Sequence, residues 1–174
     1  WAYADALGEL GRFDEYLHGM EEARRIAAKV SSLDASKVLI IDSSYAIALA
    51  MVGRYRESAD MYDTVLARWR AAGLPRQRDY AISLANLGAI RYELGDLDAA
   101  EDLLREAVTL DHTMYGEAHP NTAVQMRMLG QVLSARGKTE EAESLLVAAQ
   151  AVHGAMYNPA HPQSVSDASA LGAL

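Results

Sequence analysis

Apolar residues recur along most of the chain at intervals of three and four positions, which is the spacing of one face of an α-helix. Between residues 78 and 94, Ile82, Leu84, Leu87 and Ile90 follow this pattern. Strand signals are missing from the sequence, since no alternating Val, Ile and Thr run is bounded by turn residues. The pattern predicts helices over residues 1–10, 14–30, 35–52, 55–72, 78–94, 97–115, 121–136, 139–156 and 163–172.

Glycine interrupts the helical pattern at a constant spacing. Gly11, Gly53, Gly95 and Gly137 stand 42 residues apart, and each precedes a similar segment. Glycine ends helices because it adopts the left-handed conformation without a Cβ clash, and Asp96 is expected to cap the helix that follows. Self-similarity at one fixed spacing predicts a repeat array, in which each unit buries its apolar face against its neighbours.

The connectors between units also match at this spacing. Residues 114–123 realign onto residues 156–165, and both segments contain a His-Pro pair. Proline is expected to begin the next helix, because its fixed φ and missing N–H are harmless in a first turn. The two histidines, His119 and His161, are a whole repeat apart and no paired carboxylate completes a ligand set. We therefore predict no metal site.

A frame of small and apolar residues accompanies the glycines. In residues 77–118 it consists of Leu87, Gly88, Gly95, Ala100 and Ala107, and it resembles the tetratricopeptide repeat. The frame recurs in the next unit at Leu129, Gly130, Gly137, Ala142 and Ala149. Small residues at these places let the two helices of a unit approach closely.

Two features refine this resemblance. The period of 42 residues exceeds the usual length of about 34, and the connector Gly116-Glu117-Ala118-His119-Pro120 is similar to that of the kinesin-light-chain type of the repeat, also found in many bacterial multidomain proteins. The repeat at residues 35–76 departs from the frame, because Asp42 replaces an apolar residue and Ser58 replaces an alanine.

The resemblance implies an all-α fold, a right-handed α-solenoid of antiparallel helix pairs. It implies one array of about four units and a C-terminal partial helix, at approximately 1–34, 35–76, 77–118, 119–160 and 161–174. Because the chain begins with Trp1 and not Met, we expect it to be a fragment of a larger protein.

In this family the first helices of all units line a concave groove that binds peptides, which implies candidate groove residues. Asn86 carries an amide that donates and accepts at once, although a solvated polar residue is an equal alternative. Arg127 and Gln131, one helical turn apart, are candidates to hold a carboxylate or a backbone carbonyl. Met128 would offer adaptable apolar contacts or fill the core. Tyr92 and Ser44 complete the candidate set.

The composition of the chain argues against several classes of partner, site and activity. The net charge of −8 argues against nucleic acid as a partner, and the absence of cysteine excludes disulfides, thiolate metal sites and cysteine nucleophiles. No apolar run reaches the length of a membrane helix, and none of the motifs G-x-S-x-G, phosphate loop or H-E-x-x-H is present. We therefore predict no enzymatic activity, no cofactor and no membrane contact.

Residues 54–91 contain an arginine-rich cluster: Arg54, Arg56, Arg68, Arg70, Arg76, Arg78 and Arg91. Its positive charge admits two interpretations, a solvated helix face or an anion site. The sequence favours the solvated face.

The leading hypothesis is an interaction module that binds a peptide or partner-protein segment in the groove of a cytoplasmic protein. One alternative is a self-associating or spacer segment that forms homo-oligomers through open solenoid ends, whose apolar surface would be exposed unless paired. Another is a sensor segment of a larger bacterial regulatory protein.

Overall fold

The helical pattern is reproduced by a computed structural model, which describes residues 11–30, 32–74 and 78–174. Within these residues the chain forms eight helices and no strand, as the sequence predicts. They are α1 (Phe13–Ala27), α2 (Ala35–Met51), α3 (Tyr55–Ala71), α4 (Arg78–Glu93), α5 (Leu97–Tyr115), α6 (Pro120–Ala135), α7 (Thr139–Met156) and α8 (Pro162–Gly172). The helix predicted over residues 1–10 lies outside the described residues.

The predicted bounds differ from the observed ones mainly at the end of α1, which was expected to reach residue 30. The backbone N–H groups of Lys29 and Val30 instead bond to carbonyls three residues earlier, at 2.9 and 3.2 Å. This tighter spacing is that of a 3₁₀ turn, a common way for an α-helix to end.

The chain divides into two compact units, residues 1–75 and residues 76–174. In the first unit α2 packs against both α1 and α3. In the second unit each helix from α4 to α8 packs against the next along the chain. Successive helices therefore form the antiparallel pairs that the repeat pattern predicts.

The turns at Gly53, Gly95 and Gly137 are the same structure built three times. Each glycine has a φ between 76° and 80°, in the left-handed region that only glycine enters at low cost. The N–H group after each glycine bonds to a carbonyl five residues earlier, at 2.9 Å in every case. This is the hydrogen-bond pattern of a Schellman motif, so the constant spacing of glycine sets where each of these helix pairs closes.

The His-Pro connectors have a role that the sequence did not reveal. The Nδ1 atom of His119 accepts a hydrogen bond from the N–H of Asn121 at 3.1 Å, and Tyr115 stacks on the imidazole ring at 4.6 Å. His161 repeats both contacts, accepting from Gln163 at 3.2 Å and stacking on Tyr157. Histidine is thus the side chain that caps the helix, which requires the ring proton on Nε2.

Glycine also sets the distance between the helices of a pair. A Cβ atom added to Gly88 would lie 2.8 Å from Cγ of Leu104, and one added to Gly130 would lie 2.8 Å from Cγ of Leu146. Carbon atoms normally stay at least about 3.5 Å apart. The expectation that small residues allow close approach is met at both positions.

Replacing either close-packed glycine by alanine should lower the free energy of unfolding. Gly88→Ala and Gly130→Ala force the buried leucine to move, and overpacking of this kind costs about 1–3 kcal/mol. The matched control is Gly154→Ala in α7, because a Cβ there meets no heavy atom within 4 Å. The control should gain about 0.5–1 kcal/mol from helix propensity, measured by urea denaturation. Equal effects at all three positions would contradict the packing argument.

The two departures from the repeat frame are both accommodated by hydrogen bonds. The hydroxyl of Ser58, which is fully buried, donates to the carbonyl of Ala46 at 2.6 Å. The buried carboxylate of Asp42 accepts from Nε of Arg24 at 2.7 Å and from Nη1 of Arg68 at 2.6 Å. Asp42 on α2 therefore joins α1 to α3, and what looked like an irregular core residue is the centre of an ion triad.

The three positions of this triad can be compared with the equivalent positions of the next repeat. The residues 42 positions after Arg24, Asp42 and Arg68 are all leucine. Asp42→Leu alone leaves both guanidinium groups beside an apolar side chain. These arginine side chains are 35% and 49% exposed, so water still solvates them in the variant. We therefore expect Asp42→Leu to lower the free energy of unfolding by only about 1–3 kcal/mol.

Replacing all three residues by leucine should restore stability to within about 1 kcal/mol of the wild type, since a well-packed apolar set replaces a buried ion triad at little cost. Urea denaturation followed by circular dichroism measures both variants. If the triple variant is no more stable than Asp42→Leu, the three positions do not act as a unit.

Candidate peptide-binding groove

The second unit has one side on which its helices lie closer together. The first helices of its pairs contact one another in succession, α4 with α6 and α6 with α8. In the same described stretch, the second helices α5 and α7 make no such contact, and a depression of about 310 Å³ lies between them, lined also by Leu129 of α6. A stack that is tighter on one side curves toward that side, so the first helices form the concave face.

The exposed positions of this face follow a helical stripe on α4 and α6. We call this stripe the first-helix face; its members are Ile82, Asn86, Ala89, Glu93, Val124, Met128, Gln131 and Ala135, all exposed or half-buried. The structure therefore brings Asn86, Met128 and Gln131 of the predicted set together on two contacting helices. Tyr92, 37% exposed, lies beside Glu93 at the end of α4.

Ser44 is placed elsewhere. It belongs to the first compact unit, is only 5% exposed, and donates its hydroxyl hydrogen to the carbonyl of Ile40 at 3.0 Å. This bond to the preceding turn is a common way for a helical serine to satisfy its hydroxyl. The structure thus gives Ser44 a role inside α2, in a different compact unit from the other candidates.

Arg127 is engaged with its own chain. Its Nε atom lies 3.3 Å from Oδ1 of Asp167, and its Nη2 atom donates to Oε1 of Gln163 at 3.4 Å. Both partners lie on α8, and the arginine side chain is only 16% exposed. The sequence suggested that Arg127 holds a carboxylate, and the carboxylate beside it in the structure is an internal one.

A buried polar chain continues from this ion pair. Asp167 is fully buried, and its Oδ2 atom lies 2.7 Å from Nδ1 of His153. His153 on α7 is also fully buried, with Nε2 3.2 Å from the carbonyl oxygen of Pro120. The side chains of Arg127, Asp167 and His153 thus tie α6, α7 and α8 together.

A related polar pair occurs one repeat earlier. Asp111 on α5 is buried and hydrogen-bonds with the side chain of Gln125 on α6. Burial raises the pKa of the Asp111 carboxyl, and the hydrogen bond with Gln125 offsets only part of that effect. His153 and Asp167 stand 42 residues after this pair. The recurrence of polar residues at two repeat positions that hold Ala27, Trp69 and Ile41 in earlier units was the sequence signal that could have revealed both pairs.

Basic side chains of the second unit are largely matched by acids. Residues 78–174 contain 6 Lys or Arg and 13 Asp or Glu, a net charge of −7. Arg91 lies 3.7 Å from Asp96 and Arg105 lies 2.7 Å from Glu141. With Arg127 also paired, the surplus charge of this unit is negative.

Three further cation contacts converge on a single carboxylate. Glu101 accepts from Arg105 at 2.9 Å, from Arg136 at 2.6 Å and from Lys138 at 2.8 Å. Burial would raise the pKa of Glu101, but the hydrogen bonds from Lys138 and Arg105, with the charges of Arg105 and Arg136, outweigh it and lower the pKa. Glu101 thereby joins α5 to the turn between α6 and α7.

Glu101→Gln should destabilise the protein at neutral pH by about 2 kcal/mol, because it removes charge-assisted hydrogen bonds. A carboxylate with a lowered pKa stabilises the fold above its ordinary pKa and loses this effect as the pH falls through the lowered value. The stability difference between wild type and variant should therefore shrink as the pH falls below about 4.

Urea denaturation at several pH values measures this difference. The control is Glu143→Gln, which removes an exposed carboxylate at the equivalent position of the next repeat and should change stability by less than about 0.5 kcal/mol. A pH-independent effect of Glu101→Gln would contradict the charge-based explanation.

The arginine-rich cluster also contains paired side chains. Nε of Arg54 donates to Glu57 at 2.6 Å, Arg68 donates to Asp42, and Arg91 lies near Asp96. These pairs favour the interpretation of the cluster as a helix surface balanced by neighbouring acids. In the described part of the chain no helix is long and apolar enough to cross a membrane.

Comparison with known proteins identifies the family. Tetratricopeptide repeat models match residues 37–112 and residues 122–163, together about two thirds of the chain. The chain therefore belongs to the tetratricopeptide repeat family. Within it, the chain is similar to protein KINESIN LIGHT CHAIN-RELATED 3 of Arabidopsis thaliana, with 24% identity over 125 residues that cover 68% of this chain and 19% of the relative. It spans about a fifth of the length of the curated relatives it matches.

Solved structures confirm the all-α solenoid fold. BtubC (BKLC) from P. vanneervenii matches with a TM-score of 0.85 and 22% identity, covering 98% of this chain and 68% of that one. The Rap conjugation gene regulator of plasmid pLS20, solved in complex with the Phr* peptide, matches with a TM-score of 0.73 and 20% identity, covering 87% of this chain and 40% of that one. The tetratricopeptide repeat models and the KINESIN LIGHT CHAIN-RELATED relatives confirm the resemblance to kinesin-light-chain-type repeats that was expected from the sequence.

Proposed function

We propose that the first-helix face of the second unit binds a peptide segment of a partner protein. The observation that carries this proposal is the placement of Asn86 and Gln131, two partly or fully exposed amides, on the contacting helices α4 and α6 of a concave surface. A side-chain amide donates and accepts at once, which suits the alternating N–H and C=O groups of a peptide backbone.

The remaining members of the face supply apolar contact. Ile82, Val124 and Met128 are half-buried, so they present part of their surface to solvent between the two amides. Methionine adapts its shape to different apolar side chains. The peptide-bound state of the structurally similar Rap regulator supports a peptide as the ligand class.

Arg127 has a positioning role in this proposal. Removing its side chain would leave the buried Asp167 without the guanidinium beside it, and stranding a buried charge in this way destabilises proteins strongly. Arg127→Ala would therefore disturb α8 as well as the face. The amide residues give a cleaner test of binding.

The test is affinity capture from a lysate of the source organism, read out by quantitative mass spectrometry. Asn86→Ala with Gln131→Ala should reduce the captured partner by about tenfold, since each lost hydrogen bond to a ligand costs about 0.5–1.5 kcal/mol. The control is Gln150→Ala, which removes an exposed amide from the second helix α7 and should leave capture unchanged.

Circular dichroism must show equal helicity for all variants. A partner captured equally by the wild type and the double variant would move the binding surface away from the first-helix face. Light scattering of the wild type distinguishes the self-association alternative, because a strict monomer across micromolar concentrations contradicts a homo-oligomer.

A further inference from the structure

We infer that the first-helix face selects basic peptides and disfavours acidic ones, because Asp167 neutralises Arg127, which lies on α6 beside that face. This inference rests on the proposed function and specifies the chemistry of the ligand. It comes from the position of Arg127, from the exposed acid on the face, and from the charge of the second unit.

Arg127 lies between the half-buried Val124 and the exposed Gln131 along α6, and it is the single Lys or Arg in the stretch Pro120–Ala135. Its guanidinium faces Oδ1 of Asp167 at 3.3 Å and Oε1 of Gln163 at 3.4 Å. A ligand carboxylate that took the Nε edge of this guanidinium would have to replace the carboxylate of Asp167, and the rest of the arginine side chain is largely covered, at 16% exposed.

Such an exchange is unfavourable. Asp167 is fully buried, so it would remain charged in a poorly solvated place with only His153 beside it, and a buried charge that loses a partner carries a large free-energy cost. The ligand carboxylate would also give up its own hydration. Arg127 therefore helps to hold α8 against α6, and it offers little attraction to an acidic ligand.

The surplus charge around the face is negative. Glu93 is exposed at the end of the stripe that contains Asn86 and Ala89 on α4. Arg78 is exposed at the start of that helix, four residues before Ile82, where its charge acts on the buried carboxyl of Asp111. Residues 78–174 together carry a net charge of −7. A surface with surplus charge of one sign attracts ligands of the opposite sign and raises their association rate, so Lys- or Arg-containing segments are favoured.

The experiment is selection from a phage-displayed library of random peptides, sequenced before and after binding to wild type, the Asn86→Ala/Gln131→Ala variant and Asp167→Asn. Peptides enriched by the wild type and lost with the amide variant report on the face. We expect the ratio of Lys and Arg to Asp and Glu in these peptides to be at least about threefold higher than in the input library. A bias of this size is what exposed charge pairs produce.

Asp167→Asn should release Arg127 and shift the selected peptides toward acidic residues. Because this variant also alters the buried contact with His153, its thermal unfolding is measured first. Glu93→Gln provides a second test that leaves the core untouched, and it should reduce the basic bias. If Asp167→Asn does not fold, the wild type and Glu93→Gln selections decide the matter.

The outcomes separate the two proposals. Face-dependent peptides with an acidic bias, or with no charge bias, would overturn the inferred selectivity and leave peptide binding intact. An absence of any face-dependent enrichment would overturn peptide binding itself. If neither Glu93→Gln nor a folded Asp167→Asn changes the bias toward Lys and Arg, then these two residues do not cause the bias.

Discussion

The structure of the pairs α4–α5 and α6–α7 depends on the close contact between their two helices at a position without a side chain. At Gly88 and Gly130 the first helix lies so near a leucine of the second that a methyl group would not fit. The Schellman turn at the following glycine holds the two helices at this distance. The exposed stripe of each first helix then faces away from its partner, which is what makes a continuous concave face possible.

Much of this arrangement was accessible from the sequence. The fixed spacing of glycine and the helical recurrence of apolar residues predicted the helices from α2 to α8 within two residues at each end, because local hydrogen bonding and burial decide those features. Asn86, Met128 and Gln131 were placed on one surface for the same reason: helical periodicity alone assigns a residue to a face.

The polar contacts between helices were not accessible in this way. The pairing of Arg127 with Asp167 joins residues 40 positions apart, and it depends on how one helix pair stacks on the next. Asp42 presented the same difficulty, since its two arginine partners come from the helices on either side. His119 was recognised as part of a connector, but its cap depends on a ring orientation that Tyr115 supports by stacking.

The buried polar pairs also limit how this array can change its length. Asp111 meets Gln125 at one junction, and His153 meets Asp167 at the next. A clean loss of residues 119–160, the simplest deletion of one repeat, would bring Asp111 opposite Asp167. Two carboxylates would then share a dry site that neither histidine nor amide could satisfy. The repeats look alike in their apolar frame, yet these two junctions carry different polar pairs, so the repeat at residues 119–160 cannot be lost without leaving a buried carboxylate unpaired.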